Sequence, residues 1–185
     1  MLFSGLPFLY YFLPAVLVCY FAAPRKLKNA VLFVFSLIFY GWGEPRYIAL
    51  MIVSIFSGFV FALMIEKKQG KKSGLILMWI SVAVSLSFLL IFKYADFLIE
   101  NMNHLPGVSL PLSKLSLPIG ISFYTFQIIS YTVDVWRGDT KAQRNIISFG
   151  TYVSLFPQLI AGPIVRYTDI ERELQERKHS VTLAA

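Results

Sequence analysis

Six long stretches without any charged side chain dominate the pattern of this chain. They contain 15 to 24 residues each and cover residues 1–24, 29–43, 47–65, 73–92, 115–133 and 145–165. An α-helix rises about 1.5 Å per residue, so about 20 apolar residues cross a hydrocarbon layer about 30 Å thick. Lipid cannot satisfy backbone amides, and the stretches lack the alternation of barrel strands, so they predict helices. The expected fold class is all-α, a polytopic transmembrane helical bundle.

Proline, glycine and charged residues set the predicted boundaries within one multi-helix membrane domain over 1–185. We expect the connection 93–114, which is polar and contains prolines, to be irregular. Pro14 predicts a kink in the first helix, and Ser54 and Gly58 form a small-residue pair that would let another helix approach closely. The predicted helices cover 2–22, 29–40, 47–65, 75–92 and 118–133, and a sixth segment covers 145–165.

The sixth segment is interrupted by helix breakers. Pro157, Gly162 and Pro163 lie inside it, and a helix broken twice need not cross the membrane. Broken backbone at membrane depth is tolerated only where protein or a water-filled cavity satisfies it. We therefore predict a broken, re-entrant segment that lines an interior site.

The basic residues predict the orientation of the helices. The first, third and fifth connections carry 10 Lys and Arg residues, against 3 in the second and fourth. The positive-inside rule places those odd connections in the cytoplasm and the N-terminus outside. A re-entrant sixth segment would also keep Arg166 on the cytoplasmic side.

Composition agrees with a membrane protein and excludes other classes. The chain is 57% hydrophobic and 15% charged, whereas soluble domains carry about 25% charged residues. The net charge of +7 lies in short loops, so it indicates topology rather than nucleic-acid binding. A single cysteine, Cys19, excludes an internal disulfide framework. No metal-ligand spacing, phosphate-binding glycine loop or serine nucleophile elbow is present.

Four residues are predicted to bind substrate. Gln127 belongs to a polar stripe on the fifth helix, in the same stretch as Tyr124, and this stripe either bonds to other helices or lines a substrate tunnel. Gln158 lies between helix breakers, where it either repairs the broken backbone or positions a substrate. Arg166 either snorkels to the membrane interface or clamps an anionic group. No catalytic residue and no metal ligand are predicted.

Three segments, in this order and spacing, resemble the membrane-bound O-acyltransferase family. They read GWGEPRY at 41–47, LPIGISFYTFQ at 117–127 continuing to YTVDVWRG at 131–138, and FPQLIAGPIVRY at 156–167. The resemblance covers most of the chain. Within the family, the chain is most similar to the bacterial branch that O-acetylates alginate and peptidoglycan.

The resemblance implies a ring of helices around a funnel in the bacterial inner membrane. In such a funnel, an acyl thioester from acyl-CoA or an acyl carrier meets a polysaccharide acceptor at the outer face, delivered through a periplasmic partner protein. The thioester is a substrate, and no cofactor is expected. The bilayer is the other implied partner.

The family's general base is a histidine within an apolar helix, and no residue here matches it. His104 lies in a loop rich in proline, glycine and asparagine, and His179 lies in the charged tail. The resemblance therefore implies an N-terminal fragment that is inactive alone. A non-enzymatic transporter element or a membrane scaffold remains the alternative, although no acidic residue lies inside any apolar stretch.

Overall fold

The computed structural model describes residues 5–103, 118–161 and 165–175, and every regular element in these ranges is helical. A π-helical turn, Phe8–Phe12, precedes the first α-helix, and short 3-10 turns, Arg25–Leu27 and Pro45–Tyr47, precede the second and third. The all-α prediction is therefore confirmed for the described part of the chain. The α-helices are α1 Leu13–Ala22, α2 Lys28–Gly43, α3 Ile48–Lys67, α4 Lys72–Asn103, α5 Ile121–Arg137, α6 Ile146–Ser154, α7 Phe156–Ala161 and α8 Tyr167–Gln175.

Two of these helices are long and apolar enough to cross a membrane. They cover Pro45–Lys67 and Lys72–Tyr94 and correspond to the third and fourth predicted spans. The apolar helices Phe8–Ala22 and Ile146–Leu159 are shorter. Length and composition thus agree with the predicted membrane protein.

Helices α3, α4 and α5 pack against one another, and α2 packs against α6. Gly58 on α3 lies at the crossing with α5, where a side chain would begin 2.7 Å from Cγ2 of Ile128 and 3.4 Å from the Phe149 ring on α6. Ser54, one turn earlier, is also buried. The expected close approach at this small-residue pair is confirmed.

Two predicted helix ends are wrong. Helix α4 continues through Asn103, into the connection expected to be irregular, and α2 ends at Gly43 rather than at 40. The prediction used the loss of hydropathy as a helix end, but polar residues without glycine or proline continue a helix in water. The side chain of Asn101 even donates to the Phe97 carbonyl, 2.7 Å away. Helix α2 stops just before Pro45, whose ring disfavours helical geometry in the preceding residue.

The first helix contains a π-helical turn near Pro14. The Leu13 N–H donates to the Phe8 carbonyl, five residues back. Proline lacks an N–H, so it cannot complete the usual ladder, and a π-turn is one way in which a helix absorbs that loss. The kink predicted at Pro14 itself stays a prediction.

The three basic connections meet at one end of the bundle, which we call the basic end. The Asn29 side chain donates to Oγ of Ser148, 3.0 Å away, and its carbonyl accepts from Thr151 at 2.9 Å. The carboxylate of Glu66 accepts from the Ala142 N–H at 3.2 Å and pairs with Arg144. This grouping is the one that the positive-inside argument requires.

The segment after α5 leaves the basic end and returns to it. Helix α6 begins there. The ring centroid of Phe156, at the start of α7, lies 5.8 Å from that of Phe8, in the π-helical turn before α1, and 5.4 Å from that of Phe39, near the end of α2. The ring centroid of Tyr167 then lies 4.9 Å from that of Tyr131, back near the basic end. We call residues 145–167 the broken hairpin. The predicted interruption at Gly162 and Pro163 lies outside the described residues.

Enlarging Gly58 should destabilise the bundle, because the added atoms meet Ile128 in a packed crossing. We expect Gly58→Leu to lower the free energy of unfolding by about 1–3 kcal/mol, measured by denaturant titration in detergent micelles. Ala49→Leu, an exposed change on the same helix, is the control and should have little effect. Equal stability of the two variants would contradict the close crossing.

Candidate functional site

The interruption that shapes the broken hairpin lies at Leu155. Helix α6 ends at Ser154 and α7 begins at Phe156, while Leu155 has an extended ψ of 110°. Proline lacks an N–H and its ring clashes with the preceding helical turn, so a helix can begin near Pro157 but not continue through it from α6. The first interruption predicted from the sequence is present.

Gln158 on α7 has an amide nitrogen without a partner among the described residues. Its Nε2 is buried and makes no hydrogen bond there, although its backbone N–H donates to the Leu155 carbonyl at 3.1 Å. Among the described residues, the amide group does not use this nitrogen to repair the break. Leu159, the next residue, contacts Gly120 at the start of α5, where a side chain would begin 2.7 Å from it. The φ of +75° at Gly120 also favours glycine.

Helix α5 carries a buried polar edge, consisting of Tyr124, Gln127, Tyr131 and Asp134. Their spacing of three, four and three residues places them on one side of the helix, and all four are buried. Oε1 of Gln127 and Oδ2 of Asp134 have no hydrogen-bond partner among the described residues. The hydroxyl of Tyr124 lies near that of Tyr40 on α2, without the geometry of a hydrogen bond. Such atoms are costly in an apolar environment, so a group that binds them would be strongly favoured.

Three buried tyrosines join α5, α6 and α8. Tyr167 packs edge-on against Tyr131 at 4.9 Å and against Tyr152 at 5.2 Å. The Tyr152 hydroxyl donates to the Val165 carbonyl, 3.0 Å away. Burial raises the pKa of Tyr167 to about 12, so this residue is a neutral phenol near neutral pH. The three rings fix the position at which the chain returns from the broken hairpin.

Gln143 links the two ends of the broken hairpin. Its Nε2 donates to the Tyr167 hydroxyl at 2.7 Å, and its Oε1 accepts from the Asn145 N–H at 3.0 Å. Its own backbone N–H donates to the Tyr131 hydroxyl at 2.7 Å. Asn145 in turn caps α6, since its side chain accepts from the N–H of Ile147 at 2.8 Å.

Arg166 is held between two anchored neighbours, Val165 and Tyr167, while its own side chain is exposed. It lies close enough to Asp134 to lower the pKa of that carboxyl, but burial is the larger effect and the pKa of Asp134 is raised overall. The structure therefore brings Arg166 to the Asp134 end of the polar edge.

The structure places the four predicted site residues on α5 or near its two ends, and their role in substrate binding stays a prediction. Tyr124 and Gln127 are on the polar edge, Gln158 is on α7 beside the start of α5, and Arg166 is at the other end of that edge. Gln143 and Tyr152 were not predicted, because neither a glutamine in a loop nor a tyrosine in an apolar stretch carries a local signal. Asp134 lies three residues after Tyr131 and seven after Gln127, a helical spacing that the sequence shows. In the described ranges, no cluster of three His, Cys, Asp or Glu side chains could hold a metal.

The chain is similar to curated bacterial proteins over nearly its whole length. It is 38% identical to the "Probable alginate O-acetylase AlgI" of Pseudomonas aeruginosa and 37% identical to that of Pseudomonas syringae, each over 98% of this chain and 36% of the relative. It is 27% identical to the "Peptidoglycan O-acetyltransferase" of Helicobacter pylori, over 97% of this chain and 40% of the relative. The chain thus spans a little over a third of the length of these relatives.

No family model matches the chain. No solved structure matches it either.

Removing either partner of the bond between Gln143 and Tyr167 should weaken the closure of the broken hairpin. We expect Gln143→Ala and Tyr167→Phe each to lower the free energy of unfolding by about 1–2 kcal/mol, and the double variant to lose little more than one of them. Denaturant titration of the four proteins gives the coupling.

Gln69→Ala is the control, since Gln69 makes only a 3.3 Å bond to the Val135 carbonyl from an exposed loop. We expect a change within about 0.5 kcal/mol. Fully additive costs for the first two changes would show that Gln143 does not act through Tyr167.

Proposed function

The chain belongs to the membrane-bound O-acyltransferase family, within the branch of bacterial alginate and peptidoglycan O-acetyltransferases, and from this premise we propose that it forms the N-terminal helices and the tunnel segment of an envelope-polysaccharide O-acetyltransferase. The observation that carries the proposal is the match of 97–98% of the chain to proteins named for O-acetylation. The geometry supports this proposal, because the matching region contains the broken hairpin, and broken backbone at membrane depth is tolerated where it lines an interior cavity.

The polar edge of α5 supports a tunnel along the broken hairpin. In the part of the chain that the structure describes, Gln127 and Asp134 each have an acceptor atom without a partner, and Gln158 has a donor without one. Polar groups inside a membrane protein are expensive and mark substrate routes. We propose that Tyr124, Gln127, Gln158 and Arg166 contact the substrates along this route.

The reaction would be acyl transfer from a thioester, supplied by acyl-CoA or an acyl carrier, to a hydroxyl of the polysaccharide. The acceptor oxygen forms the ester bond, the carbon–sulfur bond breaks, the thiol leaves, and a base takes the hydroxyl proton. Such a base usually contributes about 10² to 10⁴ in rate. We propose that it is a histidine outside these 185 residues, because His104 and His179 both lie in polar sequence.

We propose that the protein lies in the bacterial inner membrane with the basic end in the cytoplasm. The exposed basic residues of the three loops favour this orientation. The thioester would then enter near Arg166, while the acceptor would arrive at the opposite face through a periplasmic partner. A transporter would also use discontinuous helices, but the names of the relatives favour the transferase.

The 185-residue chain alone should not transfer acetyl groups, because the proposed base would be missing. By the intact protein we mean the proposed O-acetyltransferase to which these 185 residues contribute the N-terminal helices. We expect the intact protein in vesicles to acetylate alginate or peptidoglycan fragments from acetyl-CoA, and the purified 185-residue chain to remain at background. Release of free thiol and mass spectrometry of the polysaccharide measure both. Activity of the chain alone would contradict the proposal.

Removing the side chains of Gln158 or Arg166 should impair the intact protein. We expect Gln158→Ala and Arg166→Ala each to lower kcat/KM by about tenfold, the size expected for a lost hydrogen bond that involves a charged group or a buried amide. Gln69→Ala and Arg46→Ala, exposed residues outside the proposed route, serve as matched controls. Unchanged kcat/KM in both test variants would remove these residues from the substrate route.

A further inference from the structure

Asp134 is the most buried acidic side chain in the described part of the chain, with only 3% of its surface exposed. Its Oδ2 has no hydrogen-bond partner among the described residues. Burying an ionisable oxygen without a partner is costly, and native proteins rarely leave one without a reason.

The position of Asp134 is fixed by its surroundings. It lies in the last turn of α5, where Gly138 donates from its N–H to the Asp134 carbonyl at 3.0 Å and the helix ends. Gln69 bonds to the next carbonyl, that of Val135. The backbone of Asp134 is therefore fixed near the basic end, and its buried carboxylate starts from this position.

The charges around Asp134 indicate what kind of group it would accept. Arg166 and Arg137 lower the pKa of the Asp134 carboxyl, while Asp139 and Asp169 raise it. Burial has the largest influence on the pKa of this carboxyl and raises it, which disfavours charge at this position. A neutral hydrogen-bond donor, such as an amide N–H or a hydroxyl, fits better than an ammonium or a metal ion.

We infer that Asp134 is a substrate-binding residue whose Oδ2 accepts a hydrogen bond from a neutral N–H group of the thioester donor. This inference rests on the proposed function and adds to it one residue and one contact. The donor is favoured over the polysaccharide because Asp134 lies at the basic end, where a cytoplasmic substrate would enter. The thioester arm of coenzyme A carries amide N–H groups of this kind.

The test measures initial rates of the intact protein against acetyl-CoA and, separately, against the polysaccharide acceptor. Asp134→Asn keeps the shape but removes the charge and replaces one acceptor oxygen by a donor. We expect the KM for acetyl-CoA to rise about tenfold, with the KM for the acceptor and kcat changed less than about twofold. A merely structural residue would lower the active fraction, and hence kcat, without raising one KM.

Asp139→Asn is the matched control, because it removes the same charge from an exposed residue nearby. We expect its donor KM to stay within about twofold of the wild type. A donor KM for Asp134→Asn that equals that of Asp139→Asn, or a rise confined to the acceptor KM, would overturn the inference.

Binding of acetyl-CoA without turnover separates this inference from the proposed function. We expect acetyl-CoA to raise the Tm of the wild-type protein and of Asp139→Asn, and to raise that of Asp134→Asn much less at the same concentration. If wild type binds acetyl-CoA but transfers nothing, the proposed function fails and the contact stands. If acetyl-CoA stabilises all three proteins equally, or none of them, the contact is wrong.

Discussion

The hydrogen bonds of Gln143 are the interaction on which the rest of this structure depends. A chain that enters the bundle and turns back exposes backbone groups that lipid cannot satisfy. Here the two ends of the turn meet on one side chain, which accepts from Asn145 and donates to Tyr167. The backbone of the same residue is fixed on Tyr131. Closing the broken hairpin at its base accommodates the interruption at Leu155 between α6 and α7.

The closed base also determines where the chemistry can lie. Tyr152 and Tyr167 hold the backbone on both sides of Arg166, so this cation has a defined position although its side chain is exposed. The polar edge of α5 runs from that point toward the start of the helix. Rigid placement of a few polar groups in an apolar surrounding is what a binding route requires.

The sequence predicted those features that depend on local composition. Charge-free stretches identified the helices, Pro157 identified the first break, and Gly58 identified a close helix crossing. Hydropathy failed at the end of α4, since it measures affinity for lipid rather than helix formation.

The closure of the hairpin could not be read from the sequence. Gln143 and Tyr167 are 24 residues apart and meet only because the chain reverses between them. Gln127 and Asp134 have a periodic signal, but their lack of partners is a property of the folded state. Long-range polar contacts of this kind have no counterpart in a single local pattern.

The carboxylate of Glu66 binds the loop after α5 through the Ala142 N–H and the Arg144 side chain, and this has a mechanical consequence. It fastens the loop that carries Gln143 to the end of α3, which packs against α4, α5 and α6. Widening the base of the broken hairpin would therefore either move α3 along with the loop or first break the ion pair between Glu66 and Arg144.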